Sequence, residues 1–493
     1  MRKLHTILIV TVGFLPIMWS IDGLAQTNQP TEYAMTLPVP ATGLLGSNGV
    51  DGLLFVGGDI WFHTGGVGIS VLRADGTTGQ YSSIDGLGKG GASAMGYDGS
   101  RLWVATAFDS TISGASEGVG GGLSVSEDNG HTWRYIPQPV DAVSDTLNDK
   151  KPTTVAVNNI TFDIAFHDGA AWITSWAGGL RKSKDAGLTW EVVTPDNEAF
   201  SVLDHLNHRA FAVISAANGL LVGTSGGINR STDGGETWTN IVHNPDGSSI
   251  SGNFITALAE QQTGGRSIIW AASWQADAAT EFTAVSFSRN NGLTWETTLP
   301  GEKVHNFAFN GDDVYAVSDH GLFKTSDFGQ RWYHYPRIQS DNVAVLTEEY
   351  FAIGVQDDAL WVGTNDGLAQ SLNNGQTWYI SRTFEPTGGS ADMETYAYPN
   401  PFSPTRHNVA GDQGHVRVQY NPSSTTKVTL RIFDFAMQKV RTVVQGESRS
   451  GGEQAEKWNG LDDTGRMVDN GVYFYRLDLE PGGAFWGKIV VIN

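Results

Sequence analysis

STDGGETW, residues 231–238, is one of six copies of a single pattern. The others are SEDNGHTW (126–133), SKDAGLTW (183–190), SRNNGLTW (288–295), TSDFGQRW (325–332) and SLNNGQTW (371–378). Each position reads as a turn device. The third-place Asp or Asn accepts hydrogen bonds from N–H groups of its own turn. Glycine in fifth place takes a positive φ that other residues resist. Thr and Trp open the next strand, and the indole brings a large apolar contact. Asn290 and Asn373 stand where the other copies have Asp, a change that a turn acceptor tolerates and a catalytic acid does not. Asp128, Asp185, Asp233, Asn290, Asp327 and Asn373 are therefore read as structural.

The runs upstream repeat as well: LWVAT (102–106), AWITS (171–175), LLVGT (220–224), IWAAS (269–273), VYAVS (314–318) and LWVGT (360–364). A seventh, IWFHT (60–64), precedes GISVLRADGTTGQY, where the turn pattern has decayed. Before most of them lies another apolar strand ending in a tight turn, as in ITFDIAFHDG and YFAIGVQDD. The unit is strand, turn, strand, loop, strand, motif turn, strand, with a period of roughly 45 to 50 residues, the signature of a β-propeller blade. Seven runs predict an all-β, seven-bladed propeller over residues 30–385.

The turn pattern resembles the Asp-box, or BNR repeat. That repeat occurs in sialidases, sortilin-type receptors, xyloglucan-processing glycoside hydrolases and a photosystem II assembly factor. The LWVGT…GL element is similar to two-component-regulator propellers. These families differ in activity, so the resemblance implies a fold and no single function. It also implies that the box turn joins the third and fourth strands, on the face opposite the usual active site.

Loops on that opposite face are the candidate site. Those after the LWVGT-type strands bring His63, Asp109, Trp176, Trp274, Asp319, His320 and Asp366. Those leading into the innermost strands bring Asn159, His208, Asn253, His305 and Tyr350. Amides, imidazoles and indoles around one mouth suit a polar ligand such as a glycan, with Trp176 and Trp274 as platforms. The stretches 107–122 and 137–159 are expected to be long loops there.

Enzyme readings are tested against residues. A sialidase needs an arginine cluster and a Tyr–Glu pair, and only Arg209 and Arg337 are near the mouth positions. A glycosidase needs two carboxylates, which Asp109, Asp277, Asp319 and Asp366 keep open. His205 and His208 lack a third ligand, and no EF-hand, P-loop or dinucleotide fingerprint is present, so no cofactor or metal is expected.

With 52 acidic and 31 basic residues the net charge is −21, which disfavours nucleic acid and anionic membranes as partners. There are no cysteines, so disulfides and thiolate chemistry are excluded. Arg2 and Lys3, the apolar run Ile7–Trp19 and the small residues ending at Ala25 have a signal-peptide layout, residues 1–25. No later segment is long enough to span a membrane, so an exported protein is expected.

Composition shifts after Trp378. Residues 386–397 read as a linker, and 398–493 as a β-sandwich of alternating strands. YPNPFSP, TLRIFDFAMQKV, KWNGLDDTGRMVDNGVYFYRL and the terminal GKIVVIN together resemble the FlgD-like immunoglobulin module that Bacteroidota carry on cargo of the type IX secretion system. That resemblance implies the secretion machinery as a partner and a secreted or cell-surface location. The favoured function is a non-catalytic binding protein with a polysaccharide or protein ligand at the mouth. The alternatives are a glycoside hydrolase using the mouth aspartates and a cell-envelope assembly or adhesion factor.

Overall fold

Short apolar runs separated by Gly- and Asp-containing turns leave little room for helix, and the computed structural model is strand throughout apart from single 3₁₀ turns. It describes residues 44–492 except 113, 145–150, 246, 341–342, 383–394 and 409–413. The expected signal peptide and most of the expected linker lie outside the described residues.

Seven four-stranded antiparallel sheets follow one another between Leu53 and Ser381. Their first strands are Leu53–Val56, Gly91–Tyr97, Thr161–His167, Ala210–Ala216, Phe254–Thr263, Val304–Asn310 and Tyr350–Gln356. These strands touch in cyclic order, and the last of them meets the first. The arrangement is propeller-like. The LWVGT-type runs are the second strands, buried at every residue in sheets such as Ala170–Ser175 and Ala359–Thr364 because neighbouring sheets cover both faces. At the seam, Val50 N–H donates to Thr364 O (2.7 Å) and Gly367 N–H to Asn48 O (2.8 Å).

All six motif turns join a third strand to a fourth. In STDGGETW, Asp233 Oδ1 accepts from Thr237 N–H (2.9 Å), Oδ2 accepts from the Thr237 hydroxyl (2.6 Å), and Gly235 N–H donates to Ser231 Oγ (2.8 Å). Where Asn replaces Asp the same pair of groups stays bonded with one donor reversed: Asn290 Nδ2 donates to Thr294 Oγ1 at 2.8 Å. The fourth and fifth positions are both left-handed, as at Gly234 (φ 72°) and Gly235 (φ 91°).

The fifth-place glycine also answers a packing demand. A Cβ on Gly235 would overlap the Trp172 ring, and one on Gly130 would overlap Trp61. Each of those indoles belongs to the preceding sheet. The motif tryptophan then closes edge-on over the same ring: Trp238 on Trp172 at 6.1 Å, Trp133 on Trp61 at 6.5 Å, Trp332 on Trp270 at 6.3 Å. The motif turn is thus a contact between sheets as well as a bend within one.

Two expectations are revised. Residues 107–122 are not a loop: Leu102–Ile112 and Ala115–Ser126 pair along their length as an extended hairpin. Its glycines look like loop signals but serve close approach, since a Cβ on Gly120 would strike Asn159 O and one on Gly121 would strike Lys89 O. The expected linker 386–397 also runs too far, because Thr395–Tyr398 pairs with Val416–Tyr420.

The C-terminal part holds a three-stranded sheet (Thr395–Tyr398, Val416–Tyr420, Gln454–Trp458) and a four-stranded one (Lys439–Arg449, Thr426–Phe433, Gly471–Glu480, Gly483–Val491). Alternate residues of both, including Val418, Tyr420, Trp458, Leu430, Tyr475 and Leu477, form one buried core.

The Asp233 carboxyl is held down at about 2 by the Thr237 hydroxyl and N–H. An unfolded aspartate titrates near about 4. The depressed folded value means its stabilisation is complete above about pH 4 and is lost as pH falls through about 2. Asp233→Asn, the natural variation of the motif, is expected to keep the melting temperature at neutral pH and to remove part of its fall in acid. Asp233→Ala is expected to lower it at both. Thermal melts of the two variants at pH 7 and pH 2.5 check this.

Candidate functional site

The first strands share a device that the repeat alone does not announce. In six of the seven sheets the register with the second strand slips by one residue near the start. The unpaired residues are Ser93, Phe162, Phe211, Thr256, His305 and Phe351. A bulge re-aims its side chain away from the sheet, and all six line one channel of about 660 Å³ along the ring of first strands. The first sheet contributes His63, whose Nδ1 lies 3.3 Å from Asp51 Oδ1. Gly52 leaves room for that imidazole, which a Cβ there would overlap.

Asp163 follows the bulge of the third sheet. Its Oδ1 accepts from Ile164 N–H (2.8 Å) and its Oδ2 from Val213 N–H of the next sheet (2.9 Å). Burial outweighs these bonds and pushes the carboxyl up to about 6.

One end of the channel is roofed by the C-terminal part. Arg417, wholly buried, places Nε 3.2 Å from Asp366 Oδ1 and donates from Nη2 to Asn365 O and Oδ1, both at 2.9 Å. Arg382 Nη2 meets the other Asp366 oxygen at 2.6 Å, and Leu346 N–H donates to it at 2.6 Å. Glu453 lies 3.8 Å from Arg382 Nη1. Lys457 Nζ lies 3.4 Å from Glu349, which also accepts from Asn365 Nδ2 at 3.0 Å. Two guanidinium groups and two carboxylates are thus withdrawn from water together, which is tolerable only because they pair. Burial pushes the Glu453 carboxyl up and the Lys457 ammonium down.

Between ring and roof lies a cavity of about 820 Å³. Phe162, Trp274, Lys303, His305, Asp319, Glu349, Phe351 and Asn365 form one wall, and His415, Arg441, Val443, Lys457, Trp458 and Asn459 form the other. Phe162, His305 and Phe351 line channel and cavity alike, so the two spaces adjoin.

Of the residues expected at the mouth, Trp274, His305 and Asp319 meet in this cavity, with His305 Nε2 2.7 Å from Asp319 Oδ1. His63 lines the channel. Asp366 is wholly buried beneath the arginines of the roof and lines neither space. The others sit in local bonding. Asn159 Nδ2 donates to Pro139 O (2.8 Å), and His208 lies between Ser201 N–H (3.0 Å) and Asp196 (2.9 Å). Asn253 bridges His243 N–H and Glu281, and the Tyr350 hydroxyl accepts from Ile338 N–H. His320 is exposed beside Glu302 (3.0 Å), Trp176 lies beneath Arg209, and Asp109 is exposed in the extended hairpin opposite Gly118.

Phe162, Phe211, Phe351 and Asp163 lie outside the residues expected at the mouth. A signal for them existed: TFD, AFA, VHN and YFA stand at matching places before the second strand of each sheet. The residues of the roof had no such signal. Among the described residues no cluster of three or more His, Asp and Glu side chains could hold a metal ion. No helix among them is long and apolar enough to cross a membrane.

Residues 405–480 match the FlgD Ig-like domain family. No curated protein matches the chain. Among solved structures it is similar to PorZ, an essential surface component of the type-IX secretion system of Porphyromonas gingivalis, at 16 % identity and a TM-score of 0.42, over 90 % of this chain and 66 % of that one. It is also similar to the extracellular domain of a one component system from B. thetaiotaomicron (13 %, TM-score 0.49, 92 % of this chain and 58 % of that one). An ancestral GH74 enzyme gives 13 %, a TM-score of 0.47, and 91 % of this chain against 63 % of its own. The chain thus spans 66, 58 and 63 % of these three structures.

Because its folded carboxyl is raised, Asp163 favours the protonated fold, and its contribution to stability falls as pH rises from about 4 through about 6. Carboxyl-carbon NMR is expected to give it a midpoint of about 6, against about 2 for Asp233. Asp366→Ala leaves Arg417 and Arg382 without their shared carboxylate. It is expected to cost about 3–5 kcal/mol in urea unfolding.

Proposed function

We propose that the chain is an exported binding protein: a seven-bladed Asp-box propeller over residues 30–385, joined to an Ig-like sorting module over 398–493. It acts in the secreted or cell-surface state and holds a saccharide or protein segment at the mouth without cleaving it. The observation that carries this reading is the set of bulged residues, because it spends one position in each of six sheets on lining a shared space with Phe, His, Ser and Thr. Such a lining supplies ring faces and hydroxyls for recognition and little acid–base chemistry. Export is supported by the FlgD Ig-like match over 405–480 and by the signal-peptide layout of residues 1–25. A link to type IX secretion machinery follows from the same module.

The glycoside hydrolase reading keeps one specific observation in its favour. Asp319 and Glu349 line the same cavity. Each is already engaged, Asp319 by His305 and Glu349 by Lys457 and Asn365.

The test is a glycan array with the full chain lacking residues 1–25, followed by product analysis of every hit. Retention without cleavage is expected, with Phe351→Ala weakening it about tenfold through loss of a ring contact. Cleaved product, abolished by Asp319→Asn or Glu349→Gln, would replace this reading with the hydrolase.

A further inference from the structure

The two walls of the roofed cavity are mismatched in what they leave unused. Each carboxylate has one oxygen engaged, Asp319 Oδ1 by His305 Nε2 and Glu349 Oε2 by Lys457 Nζ and Asn365 Nδ2. Donors and cations are spare. Lys303 on the ring side is exposed, and its ammonium lies over the Trp274 ring at 5.0 Å with no carboxylate of the described residues at ion-pair distance. Arg441 on the roof side spends Nη1 on a backbone carbonyl, Asp462 O, at 2.7 Å; among the described residues no carboxylate lies at ion-pair distance from it, although its charge helps to lower the Asp463 carboxyl. The Trp274 indole N–H is buried without a hydrogen-bond partner. His415 Nε2 is buried and unpartnered too, in a side chain that faces this cavity from a residue only 5 % exposed. An unmade hydrogen bond in a buried group costs free energy that a ligand oxygen would recover.

In a chain of net charge −21, a cavity lined by Lys303, Arg441 and Lys457 against Asp319 and Glu349 carries a small local excess of positive charge. Clefts of one sign within low-dielectric walls concentrate ions of the other. Phe351 and Trp274 add ring faces beside the cations, and aromatic faces with donors at their edges suit a pyranose ring.

We propose that the cavity between the ring and the C-terminal module binds an anionic saccharide, gripped by Lys303 from one side and Arg441 and Lys457 from the other. The module is then a wall of the binding site as well as an export element. This rests on the binding reading above and narrows it to a ligand class. The shared chemistry is a sugar ring bearing a carboxylate or a sulfate.

The test uses the full chain and four probes in calorimetry at low and raised salt: polygalacturonate, dextran sulfate, neutral galactan and polyglutamate. Binding of polygalacturonate or dextran sulfate is expected, weakening as salt rises; the stronger of the two identifies the anionic group. Lys303→Gln and Arg441→Gln are each expected to lower affinity about tenfold; the melting temperature is expected to hold for Lys303→Gln and to drop slightly for Arg441→Gln, which gives up its bond to Asp462 O. Equal loss from variants on opposite walls is the mark of a composite site. Galactan binding as tightly as the acidic chains would overturn the anionic class while leaving the binding reading intact. Polyglutamate binding as tightly would overturn the saccharide. Unchanged affinity in both variants would overturn the site, and silence with all four probes would overturn this inference together with the saccharide form of the binding reading.

Discussion

Everything in the ring depends on the seating of the motif turns against side chains of the sheet before them, and in four of the six copies the turn glycine meets an indole or phenol ring there. A single sheet of four short strands has two apolar faces and cannot bury either alone. The turn solves this at the periphery. Its glycine lets the backbone lie on the neighbouring ring, its carboxylate or amide holds the bend, and its tryptophan closes over the edge. Gly235 on Trp172 and Gly130 on Trp61 show the geometry most directly. The conserved-looking letters of the repeat are thus letters of assembly, which is why Asn serves as well as Asp.

At the centre the demand is different. First strands converge there, and regular pleating would alternate their side chains between the faces of neighbouring sheets. In six of the seven first strands one bulge breaks that alternation at a single place and sends one residue into the channel. Because the bulge rests on backbone pairing, its extra residue is free to vary, and it is Ser, Phe, Phe, Thr, His and Phe around the ring. A repeat built for packing thereby carries a set of independent positions for recognition.

The roof joins these two layers. Asp366 is fixed at the end of a second strand and receives a guanidinium from each part, Arg382 from its own side and Arg417 from the C-terminal sheet. An ion cluster so deeply buried contributes less to net stability than to geometry, since its desolvation cost offsets most of its attraction. Its consequence is to fix one docking of the module, and with it the cavity that both parts line.

Strand order, the period of the sheets and the place of the motif turns were legible in the sequence because each rests on contacts within about fifty residues. Trp274, His305 and Asp319 line one cavity, and their shared end of the sheets follows from their place in the unit. The bulges were half legible, their spacing constant but their slip in register visible only once strands pair. The hairpin at 102–126 was misread because glycine serves loops and close approaches alike. The engagement of Asp366 by Arg417, and the wall formed by Arg441, Lys457 and His415, were decided by tertiary structure alone. They join residues far apart in the chain through one docking, and no local pattern records which surface will meet which.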